Sequence, residues 1–277
     1  MTQATLGVPT HGHAQADCPQ AEPRAWRRRV AQAFGRAAPH YCRRAAAQAA
    51  LGERLWAHLP AQAETVLDLG CGPGHWSARL ARHYPMARVV GLDLAPAMLT
   101  EARRRHTEAI AWVRGDAAAL PLADNALDLL FSNLAIQWCP DPAAVLAEAH
   151  RVLGPGGRAL INTLGPGTLA EVATAWSRPG RPAALLDFVD AERLEAAARR
   201  AGFGAVRLES ARERFFYPDL AAVMASIKGV GAQVAPDNDA PRLGRADLER
   251  ARARFEALRE PAGLPVSYQR LTLILDK

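Results

Sequence analysis

Thr65-Val66-Leu67-Asp68-Leu69-Gly70-Cys71-Gly72-Pro73-Gly74 is the stretch from which the rest of the chain can be read. Residues 66–69 have the length and apolar character of a short buried strand, and they stop in three glycines and a proline. Just beyond, Trp76, Leu80 and Tyr84 fall near helical spacing, which predicts a helix over 75–83. Strand, glycine turn, helix is how a doubly wound sheet makes a nucleotide site. The backbone comes close to the ligand, and the helix N-terminus offers unpaired N–H groups. A dinucleotide fingerprint wants Gly-x-Gly-x-x-Gly or Ala, the third small residue allowing tight helix–strand packing. Gly70 and Gly72 fit, but His75 stands at the third position. The glycines recur instead at Gly70, Gly72 and Gly74, behind the acidic Asp68.

That pattern resembles motif I of the class I S-adenosylmethionine-dependent methyltransferases, whose loop fits a small zwitterionic amino acid and its ribose rather than a pyrophosphate. A second apolar strand, 87–94, carries Asp93, 25 positions beyond Asp68. This is the usual interval for one strand–helix–strand unit, and a carboxylate there can accept both ribose hydroxyls of a nucleoside. A third strand, 110–114, leads into Gly115-Asp116-Ala117, a turn that faces the adenine in such folds. The run Asp116, Leu120-Pro121-Leu122 and Asp128-Leu129-Leu130 extends the resemblance. It implies S-adenosyl-L-methionine as cofactor and S-adenosyl-L-homocysteine as product. The cofactor contacts it implies are Asp68, Gly70, Cys71, Gly72, Asp93, Leu94, Asp116, Ala117 and Asn133. The implied fold is a seven-stranded, doubly wound, Rossmann-like α/β sheet. Its later strands are expected at 127–132, 157–163, 205–210 and 267–275, the last two as an antiparallel pair.

Composition bounds the remaining possibilities. With 277 residues, 49% hydrophobic and 22% charged, the chain suits one large α/β domain with an insertion. No window approaches the roughly 18–20 apolar residues of a membrane span, and the N-terminus has no apolar signal-peptide core. The four cysteines are far apart and form no Cys-x-x-Cys pair, so neither a zinc site nor a disulfide framework is expected, and a reducing cytoplasm suits them. The formal charge of +6 is supplied almost wholly by arginine. The arginines read as dispersed, with no aromatic-rich basic stripe, which speaks against nucleic acid.

Along the chain, 1–24 are expected to be disordered and 25–60 to form a helical lid with Tyr41 at its hinge. The methyltransferase core is expected over 61–212 and 266–277. Residues 213–265 are too long for a strand connection and read as an inserted helical segment, with a helix at 221–227, a turn opened by Lys228, and an arginine-rich helix. Insertions at this sheet edge usually build the acceptor pocket.

Several separated stretches resemble one narrower family, the malonyl-acyl-carrier-protein O-methyltransferases of early biotin synthesis. They are residues 33–41, 68–74 and 132–139, then Thr163-Leu164 with Gly167-Thr168-Leu169 and Ala175-Trp176. Residues 226–232 and 264–268 complete them. The resemblance implies methylation of the free carboxylate of a malonyl thioester on an acidic acyl carrier protein. It implies no metal, no nucleic acid and no membrane. Such a carboxylate is already ionised, so no general base is needed; the enzyme must position, desolvate and recognise an anion. Lys228 is the candidate for the malonyl carboxylate or the carrier's phosphate, with Tyr41, Asn133 and Trp138 walling the transfer site. The carrier-docking arginines are expected on the insertion. The competing readings are a class I methyltransferase acting on a quinone precursor or a small free carboxylic acid, and a non-catalytic cofactor-binding or RNA-binding protein.

Overall fold

The computed structural model describes residues 23–178, 183–229 and 244–277. The expected disorder of 1–24 lies outside these residues except at Pro23 and Arg24, which open a helix instead. That helix is α1 (Pro23–Ala37), which runs through Gly35 and passes by a 3-10 turn into α2 (Tyr41–Arg44) and then α3 (Ala46–Trp56). The core follows as β1 (Thr65–Leu69), α4 (His75–His83), β2 (Arg88–Asp93), α5 (Pro96–Arg105), β3 (Ile110–Arg114), β4 (Leu127–Asn133), α6 (Pro142–Val152) and β5 (Leu153–Leu164). Beyond it come α7 (Ala170–Trp176), α8 (Ala191–Ala201), β6 (Ala205–Tyr217), α9 (Leu220–Gly229), α10 (Arg245–Glu256) and β7 (Leu264–Asp276).

The seven strands form one sheet in the order β3-β2-β1-β4-β5-β7-β6. Only β7 runs against the others, wedged between β5 and β6. The order reverses direction between β1 and β4, so loops after these strands splay apart and leave a crevice at their carboxyl ends. Alternation along the strands sends side chains to opposite faces. Leu67, Leu69 and Leu130 join the helices α6 and α8 on one face. Val66, Leu129 and Phe131 pack with Trp76, Leu80 and Leu55 on the other. A further apolar cluster unites α7, α9 and α10 with Ala47 and Leu51 of α3 and with the start of β7. Among the described residues no helix is long and apolar enough to cross a membrane.

The last strands are longer than the sequence pattern suggests. β5 begins at Leu153, which pairs with Leu127, and a register shift before Leu129 absorbs Gly154–Gly157. β6 extends to Tyr217 and pairs residue for residue with β7, so the strand runs on past 213, where the inserted segment was expected to begin. The charged run Glu209–Arg214 hid this extension. It lies on an edge strand, where charge guards the unpaired backbone against aggregation. Lys228 and Gly229, expected in a turn, form the last turn of α9. Residues 230–232 of that motif lie outside the described residues.

Candidate functional site

The glycine turn is built from three left-handed residues, Gly70, Gly72 and Gly74, with φ of 75°, 54° and 86°. They serve different ends. A Cβ on Gly70 would lie 2.2 Å from the Cβ of Ala135, so packing excludes any side chain there. A Cβ on Gly72 would meet nothing within 4 Å, so this residue faces open space where a ligand can approach the backbone. Gly70 and Cys71 donate their N–H groups to the Leu92 carbonyl at 2.8 and 3.0 Å, tying the turn to the end of β2.

Asp93 closes the turn. Its Oδ2 accepts the Gly72 N–H at 2.9 Å and its Oδ1 accepts the Ala95 N–H at 2.7 Å. Burial raises its pKa to about 6, and those backbone donors oppose the rise. Asp68 lies beneath the turn, fully buried, and accepts the Ser77 hydroxyl at 2.5 Å. Burial pushes it up to about 7; the Ser77 hydroxyl works against that, and the charge of Asp93 adds to it. Asp116 follows β3. Its Oδ1 accepts the Ala118 N–H at 3.0 Å, and its Oδ2 pairs with Arg27 Nε of α1 at 2.9 Å.

These groups surround a cavity of about 790 Å³ that includes its open mouth. Gly70, Gly72, Asp93, Leu94, Asp116 and Ala117 lie along it, together with Asn133 and Trp138. Helix α1 roofs it with Arg27, Val30, Ala31 and Phe34, and α2 adds Tyr41. The roof is latched by the Trp26 indole N–H, donated to the Trp138 carbonyl at 2.7 Å, and by the Phe34 ring set edge-on to Trp138 at 5.2 Å. Burial, then the charge of Asp93, raises the Tyr41 phenol above its usual range, so it stays neutral.

The expected site residues therefore divide. The cavity brings together all but three of them: Asp68 and Cys71 are buried behind the loop, and Lys228 is exposed at the end of α9, outside the lining. Asn133 reaches the cavity, but its carboxamide is engaged elsewhere. It donates to the Gln48 carbonyl at 3.0 Å and accepts from Asn162 at 3.1 Å, which fixes α3 against the strand ends. Next to it Leu134 holds φ of 58°, a left-handed conformation costly for a leucine. This bend lets Leu134 line the cavity while packing against the cluster of α7, α9 and α10. Sequence reasoning missed Arg27, Phe34 and Leu134 as lining residues. The family-like piece 33–41 contained Phe34, whereas nothing in the arginine-rich start of α1 singled out Arg27.

Comparison with known proteins decides the family. Residues 67–161 match the model described as a methyltransferase domain. A malonyl-acyl-carrier protein O-methyltransferase of Dechloromonas aromatica is 38% identical over 94% of this chain and 98% of its own length. The chain belongs to this family. A biotin biosynthesis bifunctional protein BioHC of Cellvibrio japonicus is 39% identical over 91% of the chain, which spans 50% of that longer protein. Among solved structures, the YcgJ protein of Bacillus subtilis superposes with a TM-score of 0.57 at 18% identity, covering 82% of this chain and 97% of its own. That likeness shows the Rossmann-like methyltransferase fold. As a methyltransferase of this family, the chain is an enzyme whose cavity holds two carboxylates at strand ends and no histidine among the described residues that line it.

Proposed function

We propose that this enzyme transfers a methyl group from S-adenosyl-L-methionine to the free carboxylate of a malonyl thioester carried by an acyl carrier protein, in biotin synthesis. The observation that carries this reading is the near full-length kinship with the Dechloromonas protein of that name. The cavity supports it through the open cradle at Gly72 and the acids at the ends of β2 and after β3.

In this reading Asp93 accepts the ribose hydroxyls, and Asp116, flanked by Leu94 and Ala117, accepts the adenine amine. Asp68 and Cys71 act through the loop they support. Bound S-adenosylmethionine supplies an electrophilic methyl on sulfur, which an ionised carboxylate takes in line as the carbon–sulfur electron pair returns to sulfur. No proton moves, so the chemistry needs no general base. Tyr41, neutral at working pH, and Trp138 wall the transfer site and exclude water, and Asn133 holds α3 in place beneath them. Residues 25–60 act as the lid. The segment between β6 and β7 supplies the acceptor side, where Lys228, outside the cavity, suits the carrier's phosphate better than the malonyl carboxylate.

Offering the purified enzyme malonyl-carrier, malonyl-coenzyme A and free malonate tests this by mass spectrometry. A methyl ester on the malonyl-carrier is expected. No ester on either thioester would overturn the proposal.

A further inference from the structure

The cations of this chain are not evenly placed. Residues 23–52 contain seven arginines and no Asp or Glu. Helix α1 sorts them by face. Arg27 turns inward to Asp116, while Arg24, Arg28 and Arg36 stand exposed with Gln32 at four-residue intervals, a single outward stripe roughly 18 Å long. Arg43 and Arg44 of α2, one 3-10 turn beyond α1, are exposed as well. Arg44 lies across Gly229, where a Cβ would come within 2.0 Å of its Cδ, and so the track reaches exposed Lys228 at the end of α9. None of these six outward cations pairs with a carboxylate among the described residues; Arg43 meets only the His40 ring, at 2.7 Å. The inserted segment, where docking arginines were expected, is different. In α10, Arg250 pairs with Asp247 and Arg254 donates to the Ser177 carbonyl. Its other arginines, Arg245 and Arg252, share the helix with Asp247, Glu249 and Glu256, so its charges are mixed in sign.

Unpaired like charges held along one face repel one another, and an anionic partner relieves that repulsion. The track sits on the roof of the cavity, and α2 joins the two: Tyr41 lines the cavity while Arg43 and Arg44, two and three residues on, face outward. A partner bound there stands one short helix from the transfer site. The exposed positions of α1 and α2 include no Phe, Tyr or Trp on which bases could stack, so an acidic protein suits the track better than single-stranded nucleic acid. Resting on the function proposed above, we propose that the outward faces of α1 and α2, with the end of α9, form the docking surface for the acidic acyl carrier protein.

The test compares the wild type with the triple variant Arg28→Glu, Arg36→Glu, Arg43→Glu and with the same positions changed to Lys. Malonyl-carrier and a malonyl-pantetheine thioester lacking the protein serve as substrates, and fluorescence anisotropy of labelled carrier gives binding independently of turnover. Charge reversal should raise the KM for malonyl-carrier on the order of tenfold or more and weaken carrier binding equally. It should leave kcat and the kinetics on the small thioester within about twofold, and the Lys variant should stay near wild type. In the wild type, carrier binding should weaken steeply with salt, and reversal should flatten that dependence. Carrier binding that survives charge reversal would overturn the docking surface, as would tighter binding to a single-stranded oligonucleotide than to the carrier. A wild type that binds the carrier through these arginines yet methylates neither thioester would instead overturn the proposed reaction.

Discussion

The floor and the roof of the cavity are held by different physics. The floor is backbone: glycines in left-handed conformations, N–H groups paired across to β2, and Asp93 gripping Gly72 and Ala95. Every piece hangs from a central strand with both faces buried, so the floor has one geometry available to it. The roof is a helix fastened by a few side chains, among them the Trp26–Trp138 hydrogen bond, the Phe34–Trp138 ring contact and the part-exposed Arg27–Asp116 pair. Such contacts are worth about 1 kcal/mol or less each, so in the lid role proposed above the roof would open at less cost than the floor. On that proposal the floor defines the ligand and the roof admits it.

The largest predicted effect falls on the floor. Asp93→Ala removes the acceptor for two backbone N–H groups and, in the proposed complex, for the ribose. Hydrogen bonds to a charged acceptor contribute about 1.5–3 kcal/mol each. A loss of about 3–4 kcal/mol, roughly 150- to 900-fold in Kd for S-adenosylmethionine by calorimetry, is expected. Affinity within a few-fold of wild type would remove Asp93 from the ribose and break the contrast between floor and roof.

The same contrast explains what could be read in advance. The floor was legible because its constraints are local: an apolar strand, glycines required by the turn, and an acid one strand–helix–strand unit later. The helix α4 and strand β3 fall where periodicity put them, at 75–83 and 110–114. The roof depends on contacts far apart in sequence. Trp26 meets Trp138 across 112 residues, and nothing around either tryptophan announces the other. Leu134 is a similar case. Its left-handed backbone comes where the β4–β5 ladder ends, its N–H still bonding the Asn162 carbonyl at 2.9 Å, and no sequence rule predicts a leucine there. The arginine stripe was present in the sequence but read as dispersed, since only the helix shows that Arg24, Arg28 and Arg36 share a face.

A second, intermediate effect is pH dependence, which should act on the floor in two opposite directions. Asp93, at about 6, must be ionised to accept hydroxyls, so cofactor affinity is expected to be full above pH 7 and about tenfold weaker at pH 5. Asp68, at about 7, carries the reverse consequence for the unliganded fold. Its folded pKa lies above its unfolded value near 4, so its contribution to stability is present below pH 4 and is lost as pH rises through 7. Thermal unfolding of the unliganded protein should show this as a decline between pH 5 and 7.5 that Asp68→Asn reduces. A cofactor Kd flat from pH 5 to 8 would show that Asp93 titrates outside this range.

The smallest effect sharpens the comparison from the side of the roof. Arg27→Ala cuts the ion pair to Asp116 but leaves the Trp26 and Phe34 contacts in place. The two side chains are 33% and 26% exposed, so water and salt screen the pair, and a contribution of about 0.2–1 kcal/mol is expected. That corresponds to a cofactor Kd raised about 1.4-fold to fivefold at low salt, shrinking toward wild type as ionic strength weakens the pair in both proteins. Calorimetry at low and high salt measures both. The direction carries the information, because Arg27 and the adenine amine both draw on Asp116. If removing Arg27 tightened binding, the ion pair would be a competitor that the cofactor must displace, and the roof would close against the ligand instead of over it.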